Sequence, residues 1–130
     1  NIPKIINARP GEALVVRKWI KDLPPRTLMC LLPNQVIVAL NPVDGQIIKA
    51  WHSAEINQTP SLPDRSAKPS EITGTPIDQF KPSPLKSDSL RFLSYQIKGE
   101  STLISFKTQD GEKTVTISPK GAQSFNISIH

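Results

Sequence analysis

Proline is the residue that most constrains the fold of this chain, because thirteen prolines divide its 130 residues into short segments. A proline ring fixes the backbone φ angle and removes an N–H donor, so it interrupts helix interiors and central strands alike. The segments between the prolines are rich in Val, Ile, Leu and Thr, which favours short strands joined by irregular connections. A chain of this length buries one hydrophobic core, so we expect a single domain over residues 1–130.

The first half of the chain contains four segments whose composition predicts strands. Ala13–Ile20, with the sequence ALVVRKWI, is the first, and the prolines that follow it end the strand. Thr27–Leu32 is almost wholly apolar and lies between prolines, which is typical of a short strand buried on both faces. Gln35–Leu40 and Gln46–Ser53 are expected to form a hairpin, because the intervening Asn-Pro-Val-Asp-Gly sequence favours a tight turn.

Residues 55–89 form a long proline-rich surface excursion without sustained periodicity. Loops of this length are uncommon in compact domains unless they are functional or disordered. Two interpretations stay open: a flexible loop, or an arm that wraps the sheet and shapes a binding surface. In the second interpretation the arm docks its apolar side chains, which are Ile72, Ile77, Phe80 and Leu85.

The segment 90–99 alternates apolar and polar residues, as half-buried strands do. Simple alternation places four side chains on one face of this strand, with Phe92 on the other. The four are Arg91, Leu93, Tyr95 and Ile97.

The remaining residues predict a second hairpin and a last strand. The hairpin turns at Asp110-Gly111, and the last strand places Phe125, Ile127 and Ile129 on one face. Seven or eight short strands separated by turns predict an all-β fold, either an antiparallel β-sandwich or an open barrel, with the long proline-rich loop at 55–89.

The charge pattern argues against nucleic acid as the partner. The net charge is +5, but the basic residues are scattered, and the densest group, Arg17, Lys18 and Lys21, has Asp22 beside it. Neither a basic run nor a glycine-aromatic RNA-binding motif is present. No apolar stretch reaches the length of a membrane span.

No recognisable catalytic or metal-binding pattern is present, so we assign no catalytic residue, no metal and no cofactor. The single cysteine, Cys30, lies among apolar residues and is expected to be buried and inert. His52 and His130 have no supporting motif, and His130 ends the chain. The acidic residues fall mostly in turns and loops, where aspartate stabilises turns, and there is no phosphate-binding glycine loop.

Trp51 and His52, at the end of the first hairpin, are the most promising group for binding. A tryptophan there is either a stacking platform for a sugar or base, or a lid on the core, and we favour packing. Trp19 lies inside a predicted strand and is expected in the core. The binding residues that we predict are Trp51, His52, Arg65 and Phe80.

The stretch from Val16 to Trp51 contains a Pro-Pro-Arg-Thr linker, an apolar run closing in Leu-Pro, and a hairpin ending in Ala-Trp. Together with FLSYQIKGESTLISFKTQDGEKTVTISP, it resembles the β-rich accessory domain of secreted bacterial proteins that also carry cytochrome c or membrane-associated dehydrogenase modules. In such domains a glycine pair usually stands where this chain has Asn34 and Gln35, and glycine often stands at His52. The chain has no Cys-x-x-Cys-His haem-attachment motif, so the resemblance implies the accessory domain and not the electron carrier.

The leading expectation is therefore a non-catalytic, extracytoplasmic β-sandwich module that recognises a carbohydrate or docks against a neighbouring enzyme or cytochrome domain. One alternative is a small hydrolase or isomerase whose site lies under the 55–89 loop and uses Asp or Glu with His52. Another is a basic adaptor for anionic polymers, whose binding would weaken steeply with salt.

Overall fold

The computed structural model describes residues 4–59, 68–85 and 90–130, and these ranges contain ten strands and no α-helix. In chain order the strands are β1 Ile5–Ile6, β2 Leu14–Arg17, β3 Leu28–Leu31, β4 Ile37–Leu40, β5 Ile47–Asn57, β6 Glu71–Pro76, β7 Arg91–Lys98, β8 Ser101–Thr108, β9 Gly111–Lys120 and β10 Ser124–Ile129.

The strands form two antiparallel sheets, which confirms the predicted all-β class. The first sheet has the order β1-β5-β4-β3-β2, with β6 also paired to β5, and it curls into a half-barrel. The second sheet has the order β10-β9-β8-β7. Apart from the pairing of β1 with β5, every pair of hydrogen-bonded neighbours in the two sheets consists of strands that are consecutive in the chain.

The main core lies between the two sheets. Its members on the first sheet alternate along β2, β3 and β4, and its members on the second sheet come from β8, β9 and β10, as period-two side-chain placement requires. The central residues from both sheets are Val15, Leu28, Cys30, Val38, Leu40, Ile104, Phe106, Val115, Ile117 and Phe125.

A second core lies on the opposite face of the first sheet. It contains Met29, Leu31, Ile37 and Trp51, and β1 and β6 contribute partly buried side chains to it. All residues of β3 and β4 are buried because these strands have a core on each face. The expectation that the segment Thr27–Leu32 forms a strand buried on both faces is confirmed.

Both predicted tight turns are present. The backbone N–H of Gly45 donates to the carbonyl of Asn41 at 2.8 Å, and Gly45 has a φ of 69°. In the β8–β9 turn, the Thr108 hydroxyl donates to the carbonyl of Gly111 at 2.8 Å. These turns fix the register of the hairpins whose apolar faces build the main core.

The predicted face assignment of β7 is right for Tyr95 and Ile97, which share a face, but wrong for Phe92, which lies on that same face. The register shifts between Phe92 and Ser94, which leaves Leu93 as an extra residue in a bulge. As a result Phe92 pairs with Phe106, while Tyr95 and Ile97 pair with Ile104 and Thr102 on the same face of β8. Phe92 therefore shares the core-facing side with Tyr95 and Ile97, because the bulge reverses the alternation.

The first strand is shorter than predicted, and Trp19 is not in the core. β2 ends at Arg17, and Ile20 makes only an isolated parallel bridge with Ser70. Trp19 is 49% exposed, so its predicted burial is wrong. After Arg17 the chain leaves the sheet and forms a turn, in which the Leu23 N–H donates to the Ile20 carbonyl at 3.1 Å.

The excursion predicted at 55–89 contains a strand that the sequence pattern did not indicate. β5 continues to Asn57, and β6 pairs with it in antiparallel register from Trp51–Pro76 to Asn57–Glu71. Ile72 packs against the second core, and Ile77, Phe80 and Leu85 belong to the main core. Within the described residues the segment is thus docked on the sheets along most of its length.

Candidate functional site

Trp51 belongs to the second core of the first sheet and is only 7% exposed. The Nζ of Lys49 lies 5.6 Å from the centre of the Trp51 ring, so an ammonium group covers part of the indole. A stacking platform needs an open ring face, and Trp51 does not offer one. Its burial fits the packing role that we favoured from the sequence.

Trp51 nevertheless lines a cleft of about 320 Å³ beside β6. The cleft carries both signs of charge, and Lys21 Nζ lies 3.8 Å from Glu71 Oε1 across it, in a solvent-exposed pair. Such exposed pairs contribute little to stability, so the charges remain available to hydrogen-bond other groups. The lining residues are Lys21, Asp22, Leu23, Lys49, Trp51, Glu71 and Ile72.

His52 is separated from this cleft by the geometry of β5. Adjacent residues of a strand point to opposite faces, so the side chain of His52 points away from that of Trp51. The Nδ1 of His52 lies 3.1 Å from the Ser53 hydroxyl, beside the bulge between His52 and Glu55. His52 does not line the cleft, and the two residues do not form one binding surface.

Phe80 lies elsewhere in the fold. Its ring packs against Phe125 of β10, with the ring centres 5.9 Å apart, and both rings belong to the main core. The structure therefore does not bring Phe80 together with Trp51 or His52. Arg65, the remaining predicted binding residue, lies outside the described residues.

Cys30 is fully buried in the main core, as expected. Burial raises the pKa of its thiol from 9.0 to about 11, and the nearby Thr102 hydroxyl acts in the opposite direction. A thiol with a raised pKa and no solvent access is a poor nucleophile at neutral pH.

A groove that the sequence analysis did not predict lies at one end of the sandwich, where two loops meet the end of β2 and the start of β7. Its volume is about 410 Å³. We call it the arginine groove, and its lining residues are Arg17, Pro24, Pro25, Arg26, Asn41, Pro42, Val43 and Phe92.

The arginine groove combines an apolar floor with two guanidinium groups. Arg17 Cζ lies 4.8 Å from the centre of the Phe92 ring, which holds the guanidinium over an aromatic face. Val43, at the tip of the β4–β5 turn, is 77% exposed. Aromatic residues and arginine are the residue types that are enriched at protein interfaces.

The charge of the arginine groove is one-sided. Among its described lining residues there is no carboxylate. The nearest acidic residue in sequence, Asp44, has its Oδ1 atom engaged as the acceptor of the Gln46 backbone N–H at 2.9 Å. Within the described residues neither Arg17 nor Arg26 is in an ion pair, so the groove presents two cations beside apolar surface, with the Asp44 carboxylate next to Val43 in the chain.

Weak signals for this groove were present in the sequence. In the sequence, the prolines at 24, 25 and 42 indicate strand ends, a linker and a turn. They form the groove wall because the loop after β2 and the β4–β5 turn meet at the same end of the sandwich, which depends on the sheet topology.

In the described part of the chain, His, Cys, Asp and Glu side chains form no group of three or more that could hold a metal ion. The same residues include no helix long and apolar enough to cross a membrane. No family model, curated protein or solved structure matches the chain.

Proposed function

We propose that this domain is a docking module that binds an acidic segment of a neighbouring polypeptide through the arginine groove. The observation that carries the proposal is the pairing of Arg17 and Arg26 with the exposed Val43 and the ring of Phe92. Guanidinium groups bind carboxylates through two parallel hydrogen bonds, and the apolar floor supplies the contact area that such hydrogen bonds alone lack.

The groove is suited to binding because one of its cations is held in place before a partner arrives. Stacking on Phe92 restricts the Arg17 side chain. Less side-chain entropy is then lost when a carboxylate binds. The prolines of the wall stiffen the two loops in the same way.

The resemblance to accessory domains of cytochrome and dehydrogenase proteins supports a partner of this kind. In that case the docked segment belongs to a neighbouring extracytoplasmic domain of the same or an associated protein. Gln35 has a φ of 65°, in the left-handed region that favours glycine, at a position where such domains usually carry glycine. This backbone conformation is compatible with the resemblance.

The other candidate functions have less support from the geometry. A sugar has no open indole face at Trp51 on which to stack. A hydrolase that uses His52 with a carboxylate of the Trp51 cleft would need His52 in that cleft, and it is not among the lining residues. Binding of anionic polymers needs only scattered basic charge, which makes no demand on the geometry of one site. The comparison with heparin described below distinguishes it from docking.

The test begins with a display library of random 12-residue peptides, which carries no bias toward any charge. Docking through the arginine groove predicts that the selected peptides are enriched in Asp and Glu combined with apolar residues. Selection of neutral or basic peptides, or of none, would overturn the proposal.

The tightest selected peptide is then labelled, and its affinity is measured by fluorescence anisotropy. Arg17→Glu and Val43→Asp are each expected to weaken binding at least ~10-fold, the loss of one well-formed interface contact. Lys120→Glu is the matched control, because it makes the same charge change at an exposed site outside the groove and should leave affinity within about threefold.

Heparin serves as the comparison probe for the polymer-adaptor alternative. If heparin competes fully, and Lys120→Glu weakens peptide binding as much as Arg17→Glu does, binding follows net charge and the docking proposal is wrong. If Val43→Asp has no effect, the exposed tip of the β4–β5 turn is not part of the site.

A further inference from the structure

A second basic cleft lies close to the arginine groove, where the start of β7 faces the end of β8. It is shallow, and its volume is about 410 Å³. Its described lining residues include no carboxylate, and they are Leu90, Arg91, Lys107, Thr108 and Gln109. We call this cleft the basic shelf.

The two cations of the basic shelf stand directly opposite each other. Arg91 pairs in register with Lys107 across the β7–β8 ladder, so both side chains leave the sheet on the same face. Both residues are exposed. Like charges that are directly opposite on neighbouring strands disfavour the pairing. The pair therefore brings no advantage to the fold, and an anion bound between the two side chains would remove the repulsion.

The nearest carboxylate on the sheet does not neutralise this pair. Glu112 of β9 is the register partner of Lys107 on the side away from Arg91. In the part of the chain that the structure describes, no ion pair joins Glu112 to Lys107 or to Arg91. The two cations of the shelf are therefore available to a carboxylate from another molecule.

The basic shelf and the arginine groove both border the β4–β5 turn. Pro42 and Val43 of this turn line the arginine groove. Gly45, in the same turn, lies next to Leu90 of the shelf, because a Cβ atom at Gly45 would be 3.3 Å from Leu90 Cδ1. The turn therefore connects the two clefts, through Val43 on the groove side and through Leu90 on the shelf side.

One extended segment can reach both groups of cations. Arg17 stacks on Phe92, and Arg91 is the preceding residue of β7, with its side chain on the opposite face of the strand. The guanidinium groups of Arg17 and Arg91 are therefore at most about 20 Å apart, a distance that about six extended residues span.

We propose that the acidic segment docked in the arginine groove continues to the basic shelf, where a second acidic side chain binds between Arg91 and Lys107. This inference rests on the proposed docking function and narrows the partner to a segment with two separate acidic groups. A guanidinium and an ammonium on facing strands can both donate hydrogen bonds to one carboxylate. A second copy of this chain does not fit the site, because the same end of that copy carries the same cations.

Removing the charge of Arg91 tests the basic shelf without altering the arginine groove. Arg91→Gln is expected to weaken binding of the peptide selected from the random library at least ~5-fold, the loss of one charge-assisted hydrogen bond. Lys98→Gln is the matched control, because it removes one exposed cation from the other end of the same strand, and it should change affinity less than about twofold. Equal effects of the two substitutions would overturn the proposal.

Double-mutant cycles between protein and peptide locate the two contacts. Each acidic residue of the peptide is replaced by its amide, and binding is measured to wild type, Arg17→Gln and Arg91→Gln. One acidic position should couple to Arg17 and a different one to Arg91, because removal of either partner removes the same contact. If every coupled position couples to Arg17 alone, the segment ends in the arginine groove; the docking function then stands, and the shelf proposal is wrong.

Unfolding in urea separates a binding role of Arg91 from a structural one. Arg91→Glu places a carboxylate opposite Lys107, which is a favourable cross-strand pair, so the urea midpoint should rise. The same substitution should weaken peptide binding at least ~10-fold. A lower midpoint would show that Arg91 stabilises the fold, and this result would overturn the proposal that the pair serves a partner.

Discussion

Gly74 of β6 should tolerate no side chain, because the β5 chain fills the space that a Cβ atom would need. It lies opposite the β5 bulge, between the register pairs Thr73–Glu55 and Thr75–His52. A Cβ atom added at Gly74 would lie 2.7 Å from Ala54 Cβ, 2.8 Å from Ala54 Cα and 2.9 Å from the His52 carbonyl oxygen. Two of these atoms are backbone and cannot rotate away, so Gly74→Ala forces the strands apart.

The expected cost has two parts. The φ of Gly74 is 143°, a conformation that an alanine adopts at a cost of about 1–3 kcal/mol. Overpacking against a close neighbour adds about 1–3 kcal/mol, so Gly74→Ala should lower the free energy of unfolding by roughly 2–6 kcal/mol.

The matched control is Gly121→Ala. Gly121 also has a positive φ, 61°, but a Cβ there meets nothing within 4 Å, so only the backbone cost of about 1–2 kcal/mol applies. Urea unfolding followed by circular dichroism measures both variants. Equal losses would refute the reasoning, because they would show that the close approach of β6 to β5 contributes nothing.

Three further predictions concern single side chains. The pKa of the Cys30 thiol is about 11 in the folded state against 9.0 in the unfolded state, so between these values the folded state keeps a proton that the unfolded state releases. The free energy of unfolding should therefore fall by about 3 kcal/mol as the pH rises from about 9 to 11. Urea titrations of Cys30→Ala should lack this dependence on pH. Acrylamide should quench the fluorescence of Trp19 more than that of Trp51, because Trp19 is 49% exposed and Trp51 only 7%. The quenchable fraction should therefore be lost in Trp19→Phe and retained in Trp51→Phe. The opposite pattern would contradict the burial of Trp51. Asn34→Ala should cost about 1–2 kcal/mol in urea unfolding, because its amide donates to two carbonyls of the β9–β10 turn at 3.1 and 2.9 Å; an unchanged midpoint would show that these bonds contribute nothing to stability.

Features determined by neighbouring residues were predictable from the sequence. Asp44-Gly45 and Asp110-Gly111 predicted turns because glycine supplies the positive φ there, and both turns formed. The apolar run at 27–32 predicted a strand buried on both faces, since nothing in it can face water. Local chemistry decides these features, whatever the rest of the chain does.

Features that depend on tertiary pairing were not predictable in the same way. The segment of β6 contains Gly74 and Pro76 and shows no alternation, and it is extended because it pairs with a long β5. The bulge at Leu93 reversed the faces of β7 without a local signal. Trp19 has a strand-like neighbourhood, but the strand ends two residues before it.

The candidate site depends on tertiary structure even more strongly. An aromatic residue next to a histidine, as at Trp51 and His52, suggests a binding site, but neighbouring residues of a strand point to opposite faces. The arginine groove joins Arg17, Arg26, Val43 and Phe92 from four separate parts of the chain. No spacing rule connects these residues, and only the sheet topology brings them together.

The affinity of the selected acidic peptide for Arg17→Glu, measured beside Lys120→Glu by fluorescence anisotropy, tests the central claim most directly. Docking through the arginine groove predicts that Arg17→Glu weakens binding at least ~10-fold and that Lys120→Glu leaves it within about threefold. Equal losses in the two variants would contradict docking through this groove.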